Sequence, residues 1–240
     1  RYPPPAPPSG GARPRATPRA ADPPEDIAAA LRDHDRAVLI KEGWIRDPYI
    51  VAGPDGWWYL TGTTFEPGDP LEQRDPYNRG LFETSGVGWH VQVWRSRDLI
   101  AWETLGPVFS LTDGVWAAAQ PAAFAAAPRS TWRLWAPELH WTGDRWALVH
   151  TSPQPVRGAN LALTEGAELR GPWRNPMGAE IGQRHDPSLF RDDDGTWWLV
   201  WGATQIAPIR PDWSGFAAAP VRIGPAGERA TIGHEGCLIR

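Results

Sequence analysis

Cysteine, lysine and methionine each occur only once in the 240 residues of this chain. The single cysteine, Cys237, excludes an intrachain disulfide, although it does not decide the cellular compartment. No run of 18 apolar residues is present, so no transmembrane helix is predicted. The sequence also lacks a glycine-rich phosphate loop and the ligand spacing of a zinc site, which argues against P-loop nucleotide hydrolases and zinc proteins.

Positive charge is not in excess, because the sequence has 24 basic and 28 acidic residues and a formal net charge of −4. Nucleic acid is therefore not an expected partner, and neither is a membrane. The length suits one domain with a sizeable core. The oligomeric state is left open by these properties.

The N-terminal segment has few large apolar side chains and is rich in Pro, Ala, Arg and Gly. Such a composition cannot bury enough surface to fold alone, so we predict a disordered tail or linker over residues 1–36. Within it, a short helix is predicted over 26–33. A folded domain is expected over 37–240, and a long functional loop over 65–88. We expect a fragment cut at both ends, since the sequence stops inside a predicted strand.

Tryptophan is abundant, with 16 residues, and this favours β-sheets. We expect most of the indole rings to lie in the core between sheets. A minority is expected to line a sugar-binding cleft, because a flat ring stacks on the apolar face of a sugar.

A hairpin pattern occurs twice, over residues 47–60 and 186–201. Each copy has an Asp-Pro pair, an apolar run, an Asp-Gly pair and an aromatic strand, and in each the Gly follows the leading Asp by nine positions. Asp-Gly predicts a tight two-residue hairpin turn, because both residues tolerate positive φ. Proline after the leading Asp predicts the start of a strand.

Two looser copies of the pattern begin at Ala136 and His234, with Glu138 and Glu235 as their leading acids. The leading acids of the four copies are spaced by 91, 48 and 49 residues. The first interval is nearly double, and residues 61–90 are interpreted as an insertion. Blade one is assigned to about 44–64, blade two to 132–149 with its outer part at 161–173, and the start of blade three to 185–202. A repeated hairpin of this period predicts the blades of an all-β propeller. Each innermost strand would then direct an acid toward the central axis, and several carboxylates would share one pocket.

Five phrases in chain order resemble glycoside hydrolase family 43. They are Arg46-Asp47-Pro48, the Ser96-x-Asp98-Leu99-x-x-Trp102 phrase, Trp135-Ala136-Pro137-Glu138, His185-Asp186-Pro187 and His234-Glu235-Gly236. The resemblance covers about 44–240. It implies a five-bladed β-propeller, here lacking its last blade, and an inverting enzyme that cleaves arabinofuranosyl, xylosyl or galactosyl linkages in plant-type polysaccharides.

Carried over by motif, Asp47 resembles the general base, Asp186 the carboxylate that orients and tunes the acid, and Glu235 the general acid. Trp135 and Ala136 resemble residues beside the sugar in the innermost subsite. Inversion requires one protonated and one ionised carboxyl group about 6.5–9.5 Å apart, which leaves room for the attacking water. No cofactor follows from the residues themselves. The resemblance leaves open a structural Ca²⁺ near the propeller axis.

His185 and His234 each precede a candidate acid, and they are predicted to bind substrate hydroxyls, with structural packing as the alternative. Glu138 is interpreted as a structural acid or one that supports the catalytic residues. The run Asp192-Asp193-Asp194 lacks the alternating ligands of a calcium loop and is interpreted as a solvated turn. A capping role before proline is the simpler interpretation of any single Asp-Pro pair.

The expected partner is therefore a glycan or oligosaccharide containing arabinose or xylose. Two other functions stay open at this point. One is a propeller that binds glycan without cleaving it, and the other is a retaining fructan-type glycosidase of related shape. A secreted or periplasmic location is expected, with the cytoplasm as the alternative.

Overall fold

The computed structural model describes residues 21–34, 36–79, 86–152, 158–179, 181–182, 185–202 and 204–224, together with Gly236 and Ile239. The α-helices in these residues are α1 (Pro24–Asp33), α2 (Pro70–Arg74), α3 (Val115–Ala119) and α4 (Pro121–Ala126), and 3₁₀ turns cover Leu111–Asp113 and Arg129–Thr131. The strands are β1 (Arg46–Ala52), β2 (Trp58–Thr63), β3 (His90–Ser96), β4 (Glu103–Ser110), β5 (Trp135–Trp141), β6 (Trp146–Ser152), β7 (Gly158–Thr164), β8 (Trp173–Arg174), β9 (Ser188–Arg191), β10 (Trp197–Trp201), β11 (Gln205–Pro208) and β12 (Val221–Arg222).

These strands form three antiparallel sheets of four strands, and each sheet follows chain order from its innermost strand outward. We call them blade one (β1–β4), blade two (β5–β8) and blade three (β9–β12). Successive four-stranded meanders are the building units of a β-propeller. The predicted all-β fold is confirmed as an incomplete propeller. The predicted fourth blade lies outside the described residues, apart from Gly236 and Ile239.

Blade two is buried on both of its faces, and its strand β6 is buried at all seven positions. Side chains of a strand alternate between the two faces of the sheet. Trp146 and Leu148 accordingly join the core shared with blade one. Ala147 and Val149 join the core shared with blade three. The continuous apolar sequence of this strand therefore follows from its position between two other sheets.

The tryptophans supply much of this core. Trp116, Trp132, Trp146 and Trp201 are buried. Six others are partly buried and pack against the two clusters, namely Trp57, Trp89, Trp141, Trp173, Trp197 and Trp213. The expected role of most tryptophans in blade packing is confirmed.

The two predicted Asp-Gly turns are both present. Gly56 and Gly195 have φ of 76° and 87°, which an L side chain rarely adopts. The hydrogen bonds Gly53 N–H to Trp57 O (2.7 Å) and Asp192 N–H to Thr196 O (2.9 Å) close the loops. Each loop thus contains three residues and ends in the left-handed Gly, which is the second most common hairpin connection rather than the predicted two-residue one.

Blade one is larger than the sequence predicted. The blade was assigned to residues 44–64, but β3 pairs with β2 and β4 pairs with β3. Helix α2 lies in the predicted 65–88 loop, and α3 and α4 separate β4 from β5. These inserted segments account for the nearly doubled interval between the first two repeats.

The Ser96-x-Asp98-Leu99-x-x-Trp102 phrase forms the turn between β3 and β4. Asp98 Oδ1 accepts hydrogen bonds from the backbone N–H groups of Ala101 and Ile100, both at 2.9 Å. The Trp102 indole N–H donates to the Leu99 carbonyl at 3.2 Å. The N–H donors of Ala101 and Ile100 lower the pKa of Asp98, since they favour the ionised carboxylate. The phrase is therefore a structural signature of the blade.

Part of the predicted N-terminal tail is folded. Helix α1 begins with Pro24 and carries Glu25 and Asp26 in its first turn, which suits the positive end of the helix dipole. Ile27 is only 1% exposed. The prediction of a disordered segment to residue 36 is thus wrong for 24–33, whereas the predicted short helix is confirmed and starts two residues earlier. Residues 1–20 lie outside the described residues. No helix in the described part of the chain is long and apolar enough to cross a membrane.

Candidate active site

Three residues at the start of the innermost strands share an uncommon backbone conformation. Asp47, Ala136 and Asp186 have φ of 50°, 45° and 51°, and each precedes a proline. A following proline disfavours the right-handed helical region. A left-handed φ is uncommon for residues other than glycine, and Asp adopts it more readily than Ala. The same strained conformation in three blades identifies these residues as equivalent positions of the repeat.

A β-bulge accompanies this conformation in blades one and two. In β1, the segment from Arg46 to Tyr49 contains one residue more than the segment from Thr63 to Thr61 with which it pairs. In β5, the segment from Trp135 to Glu138 likewise contains one residue more than its paired segment in β6. A bulge redirects side chains at the end of a strand. It thereby removes Asp47 and Ala136 from the regular alternation of their strands.

The equivalence corrects one prediction. The leading acid of blade two was assigned to Glu138, in line with Asp47 and Asp186. The bulges instead align Ala136 with Asp47 and place Glu138 at the position of Tyr49. The assignment was wrong because it counted acids, whereas backbone conformation and sheet register decide which residues are equivalent.

Threonine hydroxyls connect these positions across the blade boundaries. The Ala136 N–H donates to Thr63 Oγ1 of blade one at 2.8 Å. The Asp186 N–H donates to Thr151 Oγ1 of blade two, also at 2.8 Å. Both threonines are buried, and they lie near the ends of β2 and β6. Asp47, Ala136 and Asp186 are therefore linked one after another at the end of the sheets where the innermost strands begin. We call this end the mouth of the blade assembly.

The Asp47 side chain is 43% exposed, and its Oδ2 lies near Arg46 and Thr63. Arg46 Nε lies 3.5 Å from it. Thr63 Oγ1 donates a hydrogen bond of 3.4 Å to the same oxygen. The carboxylate is thus oriented and still open to water.

Asp186 is half-buried, and its Oδ2 accepts a hydrogen bond of 3.1 Å from the Gly236 N–H. Asp186 therefore contacts the residue that directly follows Glu235. The predicted residues Glu235 and His234 themselves lie outside the described residues.

Glu138 belongs to a second polar layer, two residues after the left-handed positions. Its Oε2 accepts a hydrogen bond from Ser188 Oγ at 2.8 Å and lies 3.1 Å from His140 Nε2. Tyr49 Oη lies 3.4 Å from His140 Nδ1. Since Tyr49, Glu138 and Ser188 come from three blades, this layer ties the innermost strands together. The interpretation of Glu138 as a supporting acid agrees with these contacts.

The remaining sequence-predicted residues lie near the same mouth. Trp135 and Ala136 are partly exposed at the start of β5. His185 is partly exposed, and its carbonyl accepts a hydrogen bond from the Gly202 N–H at 2.7 Å. Thr63, Thr151 and Ser188 were not singled out from the sequence, because threonine and serine in a strand carry no distinctive signal.

The carboxylates and histidines of the described residues bear on a possible metal site. In the described ranges, no group of three or more His, Cys, Asp or Glu side chains is arranged to hold an ion. The carboxylates of Asp192 and Asp194 accept backbone hydrogen bonds within their own turn. The structural Ca²⁺ near the propeller axis therefore stays a prediction.

Comparison with known proteins identifies the family. A family model described as Glycosyl hydrolases family 43 matches residues 38–236. The chain belongs to this family. The phrases that contain Asp47, Asp186 and Glu235 all fall inside the matched range.

Curated relatives of this family 43 chain include xylosidases and arabinosidases. Xylosidase/arabinosidase 43B of Humicola insolens is 32% identical over 124 residues, which are 49% of this chain and 21% of that protein. Xylan 1,3-beta-xylosidase of Vibrio sp is 27% identical over 174 residues, which are 68% of this chain and 26% of that protein. The chain thus spans about a fifth to a quarter of the length of these relatives.

A solved structure agrees with the fold. The alpha-L-arabinofuranosidase of Clostridium thermocellum superposes with a TM-score of 0.52 at 17% identity, covering 74% of this chain and 55% of that one. At this level of identity the similarity supports the shared fold alone.

Proposed function

We propose that this chain supplies the catalytic mouth of an inverting glycosidase that acts on arabinose- or xylose-containing glycans. In this proposal Asp47 is the general base, Asp186 orients the acid, and Glu235 is the general acid. Trp135, Ala136, His185 and His234 line the sugar site.

One observation supports the proposal most strongly. Asp47 and Asp186 occupy equivalent, strained backbone positions at the mouths of blades one and three. Strained non-glycine residues persist only where the surrounding structure holds them, and they are frequent at active sites. A simple capping role before proline does not require the same φ to recur in three blades. It also does not require the hydrogen-bonded links through Thr63 and Thr151.

The environments of the carboxylates suit different roles. Asp47 is the more exposed one and can accept a proton from the attacking water. Asp186 binds the amide of Gly236, which is covalently attached to Glu235, and this contact supports an orienting role. In an inverting reaction Glu235 would protonate the departing oxygen while Asp47 deprotonates water on the opposite face of the sugar. One displacement then exchanges the leaving group for hydroxide with inversion.

The test is hydrolysis of p-nitrophenyl α-L-arabinofuranoside and p-nitrophenyl β-D-xyloside by the full gene product. We expect Asp47→Asn and Glu235→Gln each to lower kcat by at least about a hundredfold, since general acid–base groups contribute about 10²–10⁴-fold. Asp193→Asn is the matched control, because Asp193 is exposed in the turn at the far end of β9. It should leave the rate unchanged.

Each alternative gives a different result. Glycan binding without turnover by the wild type would favour the non-catalytic propeller. A first product with retained anomeric configuration, measured by NMR, would favour the retaining fructan-type enzyme. Wild-type rates in Asp47→Asn would remove the proposed base.

A further inference from the structure

We propose that the Thr63 hydroxyl positions the Asp47 carboxylate and ties it to the backbone of blade two. The inference rests on the proposed role of Asp47 as the general base. Thr63 Oγ1 contacts both groups: it donates to Asp47 Oδ2 at 3.4 Å and accepts from the Ala136 N–H at 2.8 Å. Thr63 is thus a positioning residue that does not touch the substrate.

The directions of these hydrogen bonds follow from the chemistry of the hydroxyl. A threonine hydroxyl has one proton to donate and lone pairs that accept. The Ala136 N–H can only donate, so it occupies a lone pair and leaves the proton for the carboxylate. Thr63 is 1% exposed, so no bulk water is available to replace its hydroxyl. Removing the hydroxyl therefore leaves a buried amide without its acceptor and the carboxylate without one of its donors.

The same link occurs at the next blade boundary, although without a carboxylate. Thr151 occupies the position of Thr63, because Thr151 pairs with Trp135 as Thr63 pairs with Arg46. Thr151 Oγ1 accepts a hydrogen bond from the Asp186 N–H. In blade two, however, the residue with left-handed φ is Ala136, which has no carboxylate. The hydroxyl thus serves blade alignment at both boundaries, and of these two threonines Thr63 is the one whose hydroxyl also contacts the carboxylate of a candidate catalytic acid.

A change at Thr63 should alter the pH dependence of the reaction as well as its rate. Arg46 is a charged group that faces Asp47, at 3.5 Å, and it remains in the variants. A hydrogen bond donated to a carboxylate favours the ionised form. Loss of the Thr63 donor should therefore move the acid limb of kcat/KM, which reports the essential base, to higher pH. A residue that only packs between sheets would lower stability without moving this limb.

The experiment compares Thr63→Val with Thr63→Ser in the full gene product, on the p-nitrophenyl glycoside that the wild type hydrolyses. Valine has the shape of threonine without the hydroxyl, whereas serine keeps it. We expect Thr63→Val to lower kcat/KM about tenfold to a hundredfold, as misplacement of a catalytic group does. We expect its acid limb to rise by roughly one pH unit. Thr63→Ser should restore both values toward wild type.

Thr61→Val is the matched control, because Thr61 lies on the same strand and is also 1% exposed. Its hydroxyl donates to the Gln92 carbonyl at 3.1 Å, away from Asp47. This variant should lose stability without a shift of the acid limb. If Thr63→Val does not fold, Thr63→Ala provides the same test with less bulk.

Asp47→Asn, assayed in parallel, separates the two proposals. An inactive Asp47→Asn together with a wild-type pH profile in Thr63→Val would overturn the positioning role alone. An active Asp47→Asn would instead refute the base assignment. Equal shifts of the acid limb in Thr61→Val and Thr63→Val would also overturn the positioning role, because the shift would then follow from a general loss of stability.

Discussion

Because His150 is buried in its neutral form, we expect the folded chain to lose stability in acid. His150 lies in the centre of β6, is 1% exposed, and its ring centroid is 5.4 Å from that of Phe109. Its Nδ1 has no hydrogen-bond partner among the described residues. Burial lowers the pKa of His150 from 6.5 to about 4, because the charged imidazolium is poorly solvated there. The folded chain therefore holds this side chain neutral at pH values where the unfolded chain protonates it.

The magnitude follows from proton linkage. The unfolded state binds a proton below about pH 6.5, and the folded state does so only below about pH 4. Each pH unit between these values lowers the free energy of unfolding by about 1.4 kcal/mol. The stability contribution of neutral His150 is thus complete above pH 6.5 and decreases as the pH falls toward 4. The total loss is roughly 3 kcal/mol.

The assay is urea unfolding of this chain at several pH values from 7 to 4, followed by tryptophan fluorescence, for wild type and His150→Gln. Glutamine keeps a polar side chain but does not titrate, so the stability of wild type relative to the variant should fall by roughly 3 kcal/mol over this range. Titrating carboxylates affect both proteins and cancel in the difference. His34→Gln removes an exposed histidine after α1 and provides the baseline for losing one histidine. A constant difference between wild type and His150→Gln from pH 7 to 4 would refute the reasoning.

Three further predictions concern the blades. Leu148→Ala should lower the free energy of unfolding by about 2–5 kcal/mol, because Leu148 is fully buried between blades one and two; the urea midpoint measures this. Glu138→Gln should lower the free energy of unfolding by about 1–3 kcal/mol, since the charged acceptor of the Ser188 hydrogen bond is lost. In a double-mutant cycle, Ser188→Ala should cost less in Glu138→Gln than in wild type; an equal cost in both backgrounds would argue against coupling of the two residues. Gly56→Ala should destabilise by about 1–2 kcal/mol through its φ of 76°, whereas Gly166→Ala, whose added methyl group meets only open space, should be nearly neutral by thermal unfolding.

Much of the fold was predictable because its signals are local. The Asp-Gly turns before Trp57 and Thr196 and the aromatic strands after them follow from residues that are close in sequence. The repeat period then predicted separate sheets, and blades two and three were correctly located. Blade one was assigned too short, because no local pattern reveals that β3 and β4 return to pair beyond an insertion of about 25 residues.

The candidate site was predictable to a smaller extent. The Asp-Pro pairs at 47 and 186 indicated two of its acids from chemistry and spacing alone. The equivalence of Ala136 with them was missed, since alanine has no functional group to attract notice. Only its φ of 45° and the register of its bulge reveal it.

The order of residues along the chain by itself determined the positions of the Asp-Gly hairpins and the chemical types of the candidate catalytic groups, because these depend on neighbours a few positions apart. Only the packing of one sheet against the next decided which residues meet at the mouth. Thr63 reaches Ala136 across 73 positions, and Thr151 reaches Asp186 across 35. Such contacts form when whole sheets pack together, and no short segment of sequence encodes them.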